Sequence, residues 1–268
     1  SRLLLGPGPS PIDPRILQAF TRPTLGHLDP QFLKLMDEVR TMLKEVFRTK
    51  NELTFPVSGT GTAGMETCLV NLIEPGDEVA VLVQGYFGAR MADIAGRAGG
   101  KVSVKEARWG EGFEPADAEA LLKGKNVKLL AIVQAETSTG YHQPVKEFAE
   151  LAHKHGALIV VDAVTSTGGI PVEVDAWGID AIYTGTQKCL GGPPGLAPIS
   201  FSPAAVAKLD QRKSKVQSWY LDMSLVRKYW GADRAYHHTA PLNNVYGLHE
   251  SLRIVLEVPG QPQVSIEA

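Results

Sequence analysis

Cysteine, long apolar runs and an excess charge of either sign are all scarce in this chain of 268 residues. Its two cysteines, Cys68 and Cys189, are too few for a disulfide framework and suit a reducing compartment. No segment approaches the roughly 18 consecutive apolar residues that a membrane-spanning helix needs. Lysine and arginine total 27 and acidic residues 29, which indicates neither a nucleic-acid partner nor a membrane surface. We therefore expect a soluble intracellular protein, cytoplasmic or within an organelle.

Short runs rich in Val, Ile and Leu alternate with helical patterns along most of the chain. Their nearly continuous hydrophobicity is typical of strands covered on both faces, and it predicts strands at 77–85, 128–136, 156–164 and 180–185. Helices are predicted at about 62–72, 87–96 and 145–156, and at 29–47 with Asp29 as the cap. This alternation predicts an α/β fold with a doubly wound, mostly parallel sheet and flanking helices.

Ligands of such sheets bind beyond the carboxyl ends of the strands, so the segments that follow each strand carry the functional interest. The stretch "VSGTGTAGMET" at 57–67 follows a short apolar run and opens a helix. Its small residues and the helix N-terminus favour an anion such as phosphate. A tight strand–helix turn explains the same residues equally well, and no Walker A lysine follows.

Three further residues lie just after predicted strands, and each has an ordinary structural explanation. Asp162 is a carboxylate at the end of a buried strand, either a cap or ion pair or the partner of a cationic ring. Lys188, in "YTGTQKCLGGPPG", is either an exposed loop lysine or a nucleophile held among small residues. Phe87 either packs in the core or stacks on an aromatic ligand. Together with the anion loop, these groups are the parts that hold pyridoxal phosphate.

Seven motifs in order resemble the class V, fold type I, pyridoxal-phosphate-dependent aminotransferases. Within that family the chain is most similar to the alanine–glyoxylate and serine–pyruvate aminotransferase branch. The resemblance covers about residues 5 to 255 and rests on "GPGPSPIDPRIL", "VSGTGTAGMET", "GYFGAR", "AETSTG", "VVDAVTSTGG", "GIDAIYTGTQKCLGGPPG" and "YHHTAPLNNVYGLHESL". It implies the large domain of the aspartate aminotransferase-like fold.

The resemblance implies a role in cofactor binding for a set of residues. Lys188 would form the Schiff base with pyridoxal 5'-phosphate, and Asp162 would bind the pyridine nitrogen. Phe87 and Val164 would cover the two faces of the ring, and Thr137 would lie near its hydroxyl. The residues implied around the phosphate are Thr60, Gly61, Thr62 and Gln187.

The resemblance also implies a homodimer with shared active sites. Tyr236 and Thr239, in "YHHT", would reach the phosphate bound by the neighbouring subunit, and the loop around Gly8 would border the substrate. The adjacent His237 and His238 diverge on any helix or strand, and no Cys/His cluster lies nearby in the sequence, so we expect no metal site.

The activity implied is transfer of an amino group from alanine or serine to a 2-oxo acid such as glyoxylate or pyruvate, in ping-pong fashion. Two alternatives stay open at this point. One is another fold type I reaction, by a lyase or an aminoethylphosphonate transaminase. The other is a non-catalytic, truncated homologue that binds the cofactor.

The sequence predicts three segments: an N-terminal arm at 1–20, a cofactor-binding large domain at 21–257, and a remnant of a C-terminal small domain at 258–268. The last segment is rich in Pro and Gly and reads as cut or rejoined. Relatives hold the substrate carboxylate with an arginine of that small domain, and no residue of this chain matches it.

Overall fold

A seven-stranded sheet forms the centre of the protein, whose computed structural model describes residues 4–257. The strands are β1 Leu53–Ser58, β2 Glu78–Val83, β3 Lys101–Glu106, β4 Val127–Val133, β5 Ala135–Glu136, β6 Tyr141–His142, β7 Leu158–Asp162, β8 Ala181–Tyr183 and β9 Leu196–Phe201. The helices are α1 Pro14–Phe20, α2 Pro30–Val46, α3 Gly61–Leu72, α4 Tyr86–Arg97, α5 Pro115–Leu122, α6 Lys146–Lys154, α7 Val174–Trp177, α8 Pro203–Asp210, α9 Met223–Trp230 and α10 Leu242–Glu257. The predicted remnant at 258–268 lies outside the described residues.

The sheet is mostly parallel, as the sequence predicts. Its order is β1-β9-β8-β7-β4-β2-β3, and β5 and β6 form a separate small hairpin. Neighbours from β3 to β8 pair in parallel, whereas β9 runs antiparallel to both β8 and β1. The carboxyl ends of the parallel strands therefore share one edge, where ligands of such folds bind.

Hydrophobicity explains which strands the sequence predicts and which it does not. The central strands β2, β4 and β7 are buried along nearly their whole length, which produces their continuous apolar runs. The edge strand β3 is mostly exposed and rich in Lys and Glu, so its pattern is weak. Proline weakens the strand pattern of β1 and β9 in the sequence. Pro56 and Pro198 lie opposite each other in this antiparallel pair.

The predicted helices agree with α2, α3, α4 and α6 to within about two residues at each end. Asp29 caps α2, since its side chain accepts a 2.8 Å hydrogen bond from the backbone N–H of Gln31. Helix α1, which the sequence assigns to an N-terminal arm, is tied to α10 by Arg15. The guanidinium of Arg15 bonds Glu250 at 2.7 Å and Glu257 at 2.8 Å. No helix within residues 4–257 is long and apolar enough to cross a membrane.

The long connection between α8 and α9 is fastened to α3 by one buried amide. Asn71 donates from Nδ2 to the carbonyl of Leu221 at 2.7 Å, and its Oδ1 accepts from the N–H of Met223 at 2.9 Å. The same Nδ2 also donates to the carbonyl of Thr67 at 2.8 Å. The side chain is fully buried and satisfies the carbonyl of Leu221 and the N–H of Met223.

Replacement of this amide, Asn71→Ala, should lower the free energy of unfolding by about 2–4 kcal/mol, because buried polar groups of two segments lose their partner. Urea denaturation followed by circular dichroism measures the change. Asn126→Ala, at an exposed position, is the matched control and should stay within about 0.5 kcal/mol of the wild type. Equal effects of the two substitutions would contradict the role given to Asn71.

Candidate active site

The carboxyl edge of the sheet gathers most of the residues that the sequence predicts for the site. Strand β2 leads into α4 and Phe87, β4 into Thr137, and β7 ends on Asp162. The loop between β8 and β9 carries Gln187 and Lys188. Neighbouring strands thus place these segments side by side although they are far apart in the chain.

Asp162 is a buried carboxylate with two hydrogen-bond donors. Its Oδ1 accepts from the backbone N–H of Val164 at 2.9 Å, and its Oδ2 accepts from the hydroxyl of Tyr183 at 2.8 Å. Burial raises the pKa of Asp162 to about 6, and these two hydrogen bonds oppose the rise. The negative charge of Glu136 raises this pKa further, and the positive charge of Arg90 lowers it. A cationic ligand at this carboxylate would stabilise its ionised form.

The N-terminus of α3 leaves room and donors for an anion. Thr60, at the N-cap, makes no capping hydrogen bond through its side chain. A Cβ added at Gly61 would lie 3.2 Å from Cγ2 of Val164, and one added at Gly185 would lie 2.9 Å from Oε1 of Gln187. Small residues therefore let these backbone segments converge where the helix dipole favours negative charge.

Gln187 presents an unsatisfied amide beside this helix end. Its buried Oε1 has no hydrogen-bond partner within the part of the chain that the structure describes. The oxygen and nitrogen of an amide exchange places by a flip of the side chain, so the NH2 group can face an anion instead. Gln187 thus has a free amide group beside α3, where the resemblance implies a phosphate.

Lys188 reaches into a cavity of about 410 Å³. Its Nζ donates a 2.9 Å hydrogen bond to the backbone carbonyl of Pro7. Gly8 packs directly against this side chain, since a Cβ added there would lie 2.6 Å from Cδ of Lys188. The N-terminal arm therefore forms one wall of the lysine's cavity. The cavity is lined by Gly6, Pro7, Ser10, Ala135, Glu136, Thr137, Gly140, Tyr141, His142, Thr165, Lys188 and Cys189.

Phe87 is held at the start of α4 by a carboxylate that the sequence analysis does not identify. Oε2 of Glu136 accepts from the N–H groups of Phe87 at 3.1 Å and Gly88 at 3.2 Å. Oε1 of the same residue accepts from the N–H and the hydroxyl of Ser138, at 3.1 and 2.7 Å. A Cβ at Gly85 would lie 2.5 Å from Cγ of Glu136, so glycine is needed there.

Thr137 follows β5 and Val164 follows β7. Thr137 is linked to Thr165 by a 3.4 Å contact between their hydroxyl oxygens, and Thr165 donates to the carbonyl of Ala135 at 2.6 Å. Val164 follows Asp162 and packs against Gly61, as described above. Thr137 thus lines the cavity of Lys188, whereas Val164 lies against the N-terminus of α3.

Tyr236 and Thr239 are not among the residues that line the cavity of Lys188. Tyr236 is 61% exposed, and its ring lies 5.0 Å from that of His27. The segment is anchored by His238, whose Nε2 lies 2.7 Å from the hydroxyl oxygen of Ser58 at the end of β1. Burial lowers the pKa of His238 to about 4, so this imidazole is neutral near pH 7. No group of three or more His, Cys, Asp or Glu within residues 4–257 is arranged to hold a metal ion.

Three further residues at the site escape the sequence analysis although all three lie in its quoted motifs. Glu136 belongs to "AETSTG" and Arg90 to "GYFGAR", where a charge next to a strand end was a usable signal. Tyr183 could be found only through pairing, because it lies opposite Asp162 in the register of β7 and β8. Burial raises the pKa of Tyr183, so its phenol keeps the proton that it donates.

The raised pKa of Asp162 predicts a pH-dependent stability. From about pH 4 to pH 6 the native carboxyl, with a pKa of about 6, keeps a proton that the unfolded carboxyl, at its ordinary 3.8, has lost. The free energy of unfolding of the cofactor-free protein should therefore fall as the pH rises, by up to about 1.4 kcal/mol per unit. Asp162→Asn should remove this fall, and urea denaturation at several pH values measures it.

The control is Asp93→Asn, an exposed carboxylate in an ion pair with Arg97, which should keep the wild-type pH dependence. Parallel curves for the wild type and Asp162→Asn across that range would contradict the raised pKa.

Comparison with known proteins is consistent with this geometry. The family model "Aminotransferase class-V" matches residues 15–262. Alanine–glyoxylate aminotransferase of Rattus norvegicus is 42% identical over 96% of this chain and 63% of its own length. The (S)-ureidoglycine–glyoxylate transaminase of Bacillus subtilis is 38% identical over 96% of this chain and 66% of its own length.

A crystal structure of alanine–glyoxylate aminotransferase from Nostoc sp. superposes with a TM-score of 0.93 at 51% identity, over 95% of this chain and 67% of that one. The chain thus spans about two thirds of the length of the relatives it matches. The match over nearly the whole chain confirms both the predicted family and the predicted fold. The chain belongs to the class V aminotransferases, a family that depends on pyridoxal 5'-phosphate.

Proposed function

We propose that the protein is an aminotransferase that moves an amino group from alanine or serine to a 2-oxo acid such as glyoxylate or pyruvate. The observation that carries the proposal is one edge of the sheet. There a reactive amine, Lys188, and a buried carboxylate, Asp162, lie beside the N-terminus of α3. An amine, an anion and an anion-binding site are the three groups that a pyridoxal phosphate enzyme needs together.

The named relatives support the acceptor more than the donor. Both curated relatives act on glyoxylate, one with alanine and the other with (S)-ureidoglycine. Glyoxylate is therefore the acceptor to test first. Alanine is the first donor to test, since several of the matching relatives carry it in their names.

The groups left unsatisfied in the structure fit pyridoxal 5'-phosphate. The first N–H groups of α3, the hydroxyls of Thr60 and Thr62 and the amide of Gln187 would bind the phosphate, with Gly61 leaving space for it. Asp162 would accept the N–H of the pyridine ring, which explains why a costly carboxylate is buried there. Phe87 and Val164 would cover the ring, and Thr137 would lie near its hydroxyl group.

When bound, the cofactor supplies an electron-withdrawing ring that stabilises negative charge at the substrate Cα. Asp162 would accept the N–H of the ring nitrogen and would so keep that nitrogen protonated. The two donors to this carboxylate, Val164 N–H and the Tyr183 hydroxyl, fix its direction. Its burial also keeps water from competing for the same proton.

Lys188 would supply the amine that binds the cofactor and would then act as the acid–base group. Its Nζ would take the proton from the substrate Cα and return it to the neighbouring carbon atom. The Pro7 carbonyl, which accepts from Nζ in the structure, would receive the amine once it leaves the cofactor. Gly8, which packs against the lysine side chain, would border the substrate.

A homodimer with shared sites completes the proposal. Tyr236 and Thr239 lie in an exposed segment that is fixed by His238, outside the cavity of their own chain. In a homodimer, this segment of one subunit would reach the phosphate bound by the other subunit. Its hydroxyl groups are suitable donors for an anion.

The first test is a visible absorbance spectrum of the protein with pyridoxal phosphate, for the wild type and Lys188→Ala. The wild type should show a band that depends on the lysine amine and that L-alanine converts to the pyridoxamine form. Lys188→Ala should lack the band, and its turnover should fall at least about a thousandfold because it loses both the amine and the acid–base group.

The control is Lys146→Ala, an exposed lysine on α6, which should retain the wild-type spectrum. A lysine-dependent band that no amino acid converts would overturn the aminotransferase and leave a cofactor-binding protein. Turnover with aminoethylphosphonate but not with alanine would select a different transaminase. Absence of the band from the wild type would contradict the site itself.

A further inference from the structure

We propose that Arg90 is a positioning residue of this site. It holds both Thr62, in the proposed phosphate-binding loop, and Phe87, whose ring would cover the cofactor. The inference deepens the proposed function and rests on it, because it assumes that a phosphate lies at α3 and a ring against Phe87. It adds Arg90 to the proposed site as a residue that acts through Thr62 and Phe87.

The guanidinium of Arg90 makes contacts of two kinds. Its Nη1 donates a 2.8 Å hydrogen bond to Oγ1 of Thr62. Its Cζ lies 4.9 Å from the centre of the Phe87 ring and 5.0 Å from that of Tyr86. The two rings are nearly perpendicular, at 86°, so the planar cation lies against both of them. Such cation–π contacts strengthen where the cation is partly desolvated, as half-buried Arg90 is.

The hydrogen bond to Thr62 determines what the hydroxyl can do next. A hydroxyl has one proton and accepts through its lone pairs. Because Oγ1 accepts from a guanidinium, which has no acceptor of its own, the hydroxyl's own proton must point elsewhere. The nearest site for an anion is the N-terminus of α3, of which Thr62 is the second residue. Arg90 thus makes Thr62 a charge-assisted donor towards a phosphate.

The charge of Arg90 is available for this purpose. Within the described residues, no carboxylate lies within ion-pair distance of its guanidinium. The same charge also acts on Asp162, whose pKa it lowers. Arginine suits the position because its flat, delocalised cation stacks and donates at once, whereas lysine offers a compact point charge.

Glu136 holds Phe87 independently of Arg90. The carboxylate fixes the backbone N–H of Phe87, and the guanidinium lies against its ring. Phe87 is therefore held through both its backbone and its ring before any ligand binds. Preorganisation of this kind improves affinity because less order has to be created on binding.

The test compares pyridoxal 5'-phosphate with pyridoxal, which lacks the phosphate, by titration of cofactor-free Arg90→Met, Thr62→Val and the double variant. Arg90→Met should weaken pyridoxal phosphate about thirtyfold and pyridoxal only about threefold, because the cation acts on both the phosphate donor and the ring. The preference for the phosphate should thus fall about tenfold. In the Thr62→Val background, Arg90→Met should weaken both compounds by only about threefold, since Arg90 acts on the phosphate through Thr62.

Arg97→Met, an exposed arginine on the same helix, is the matched control and should bind both compounds like the wild type. Arg90→Lys should lie between the wild type and Arg90→Met, and Thr62→Ser should retain most of the phosphate preference that Thr62→Val loses. These two variants carry the test if Arg90→Met does not fold.

An equal loss for both compounds, or multiplying losses in the double variant, would overturn the role of Arg90 while leaving the proposed function intact. A wild type that binds neither compound would overturn the proposed function and this inference with it.

Discussion

The buried carboxylate of Asp162 is the constraint around which the site is arranged. An isolated charge at the end of a buried strand is costly, and the structure lowers that cost with donors from Val164 and Tyr183. Tyr183 can serve because it is the register partner of Asp162 on β8. Asp162 still lacks a cationic partner, since no side chain within the described residues lies within ion-pair distance of its carboxylate.

The site as a whole is therefore polarised. Asp162 concentrates negative charge at one end, while the N-terminus of α3 and the Arg90–Thr62 pair present positive charge at the other. A ligand with a cationic ring and an anionic phosphate matches both ends at once. Lys188 lies on the loop between β8 and β9 and lines a cavity at the same edge of the sheet. Parallel strands make this possible because their carboxyl ends share one edge.

Local patterns predict a large part of this arrangement, and tertiary contacts account for the rest. Continuous apolar runs identify β2, β4 and β7, and spacing identifies α2, α3 and α4. The strand β9 escapes because Pro198 weakens its pattern and only its neighbours fix its direction. Arg90 and Glu136 escape for a similar reason: their roles depend on Thr62 and Phe87, which lie 28 and 49 positions away in the chain.

The pairing of β1 with β9 has a consequence for synthesis of the chain. The loop of the proposed anion site begins at Ser58, at the end of β1, and within residues 4–257 β1 pairs only with β9, which starts at Leu196. The N–H of Gly59 likewise donates its hydrogen bond to the carbonyl of Gly195. A ribosome must therefore add well over a hundred residues before this loop is fixed, and non-local pairing of that kind is slow. Asp162 and Lys188 both precede Leu196 in the chain, so the lysine and the carboxylate of the proposed site are synthesised before the strand that fixes the loop.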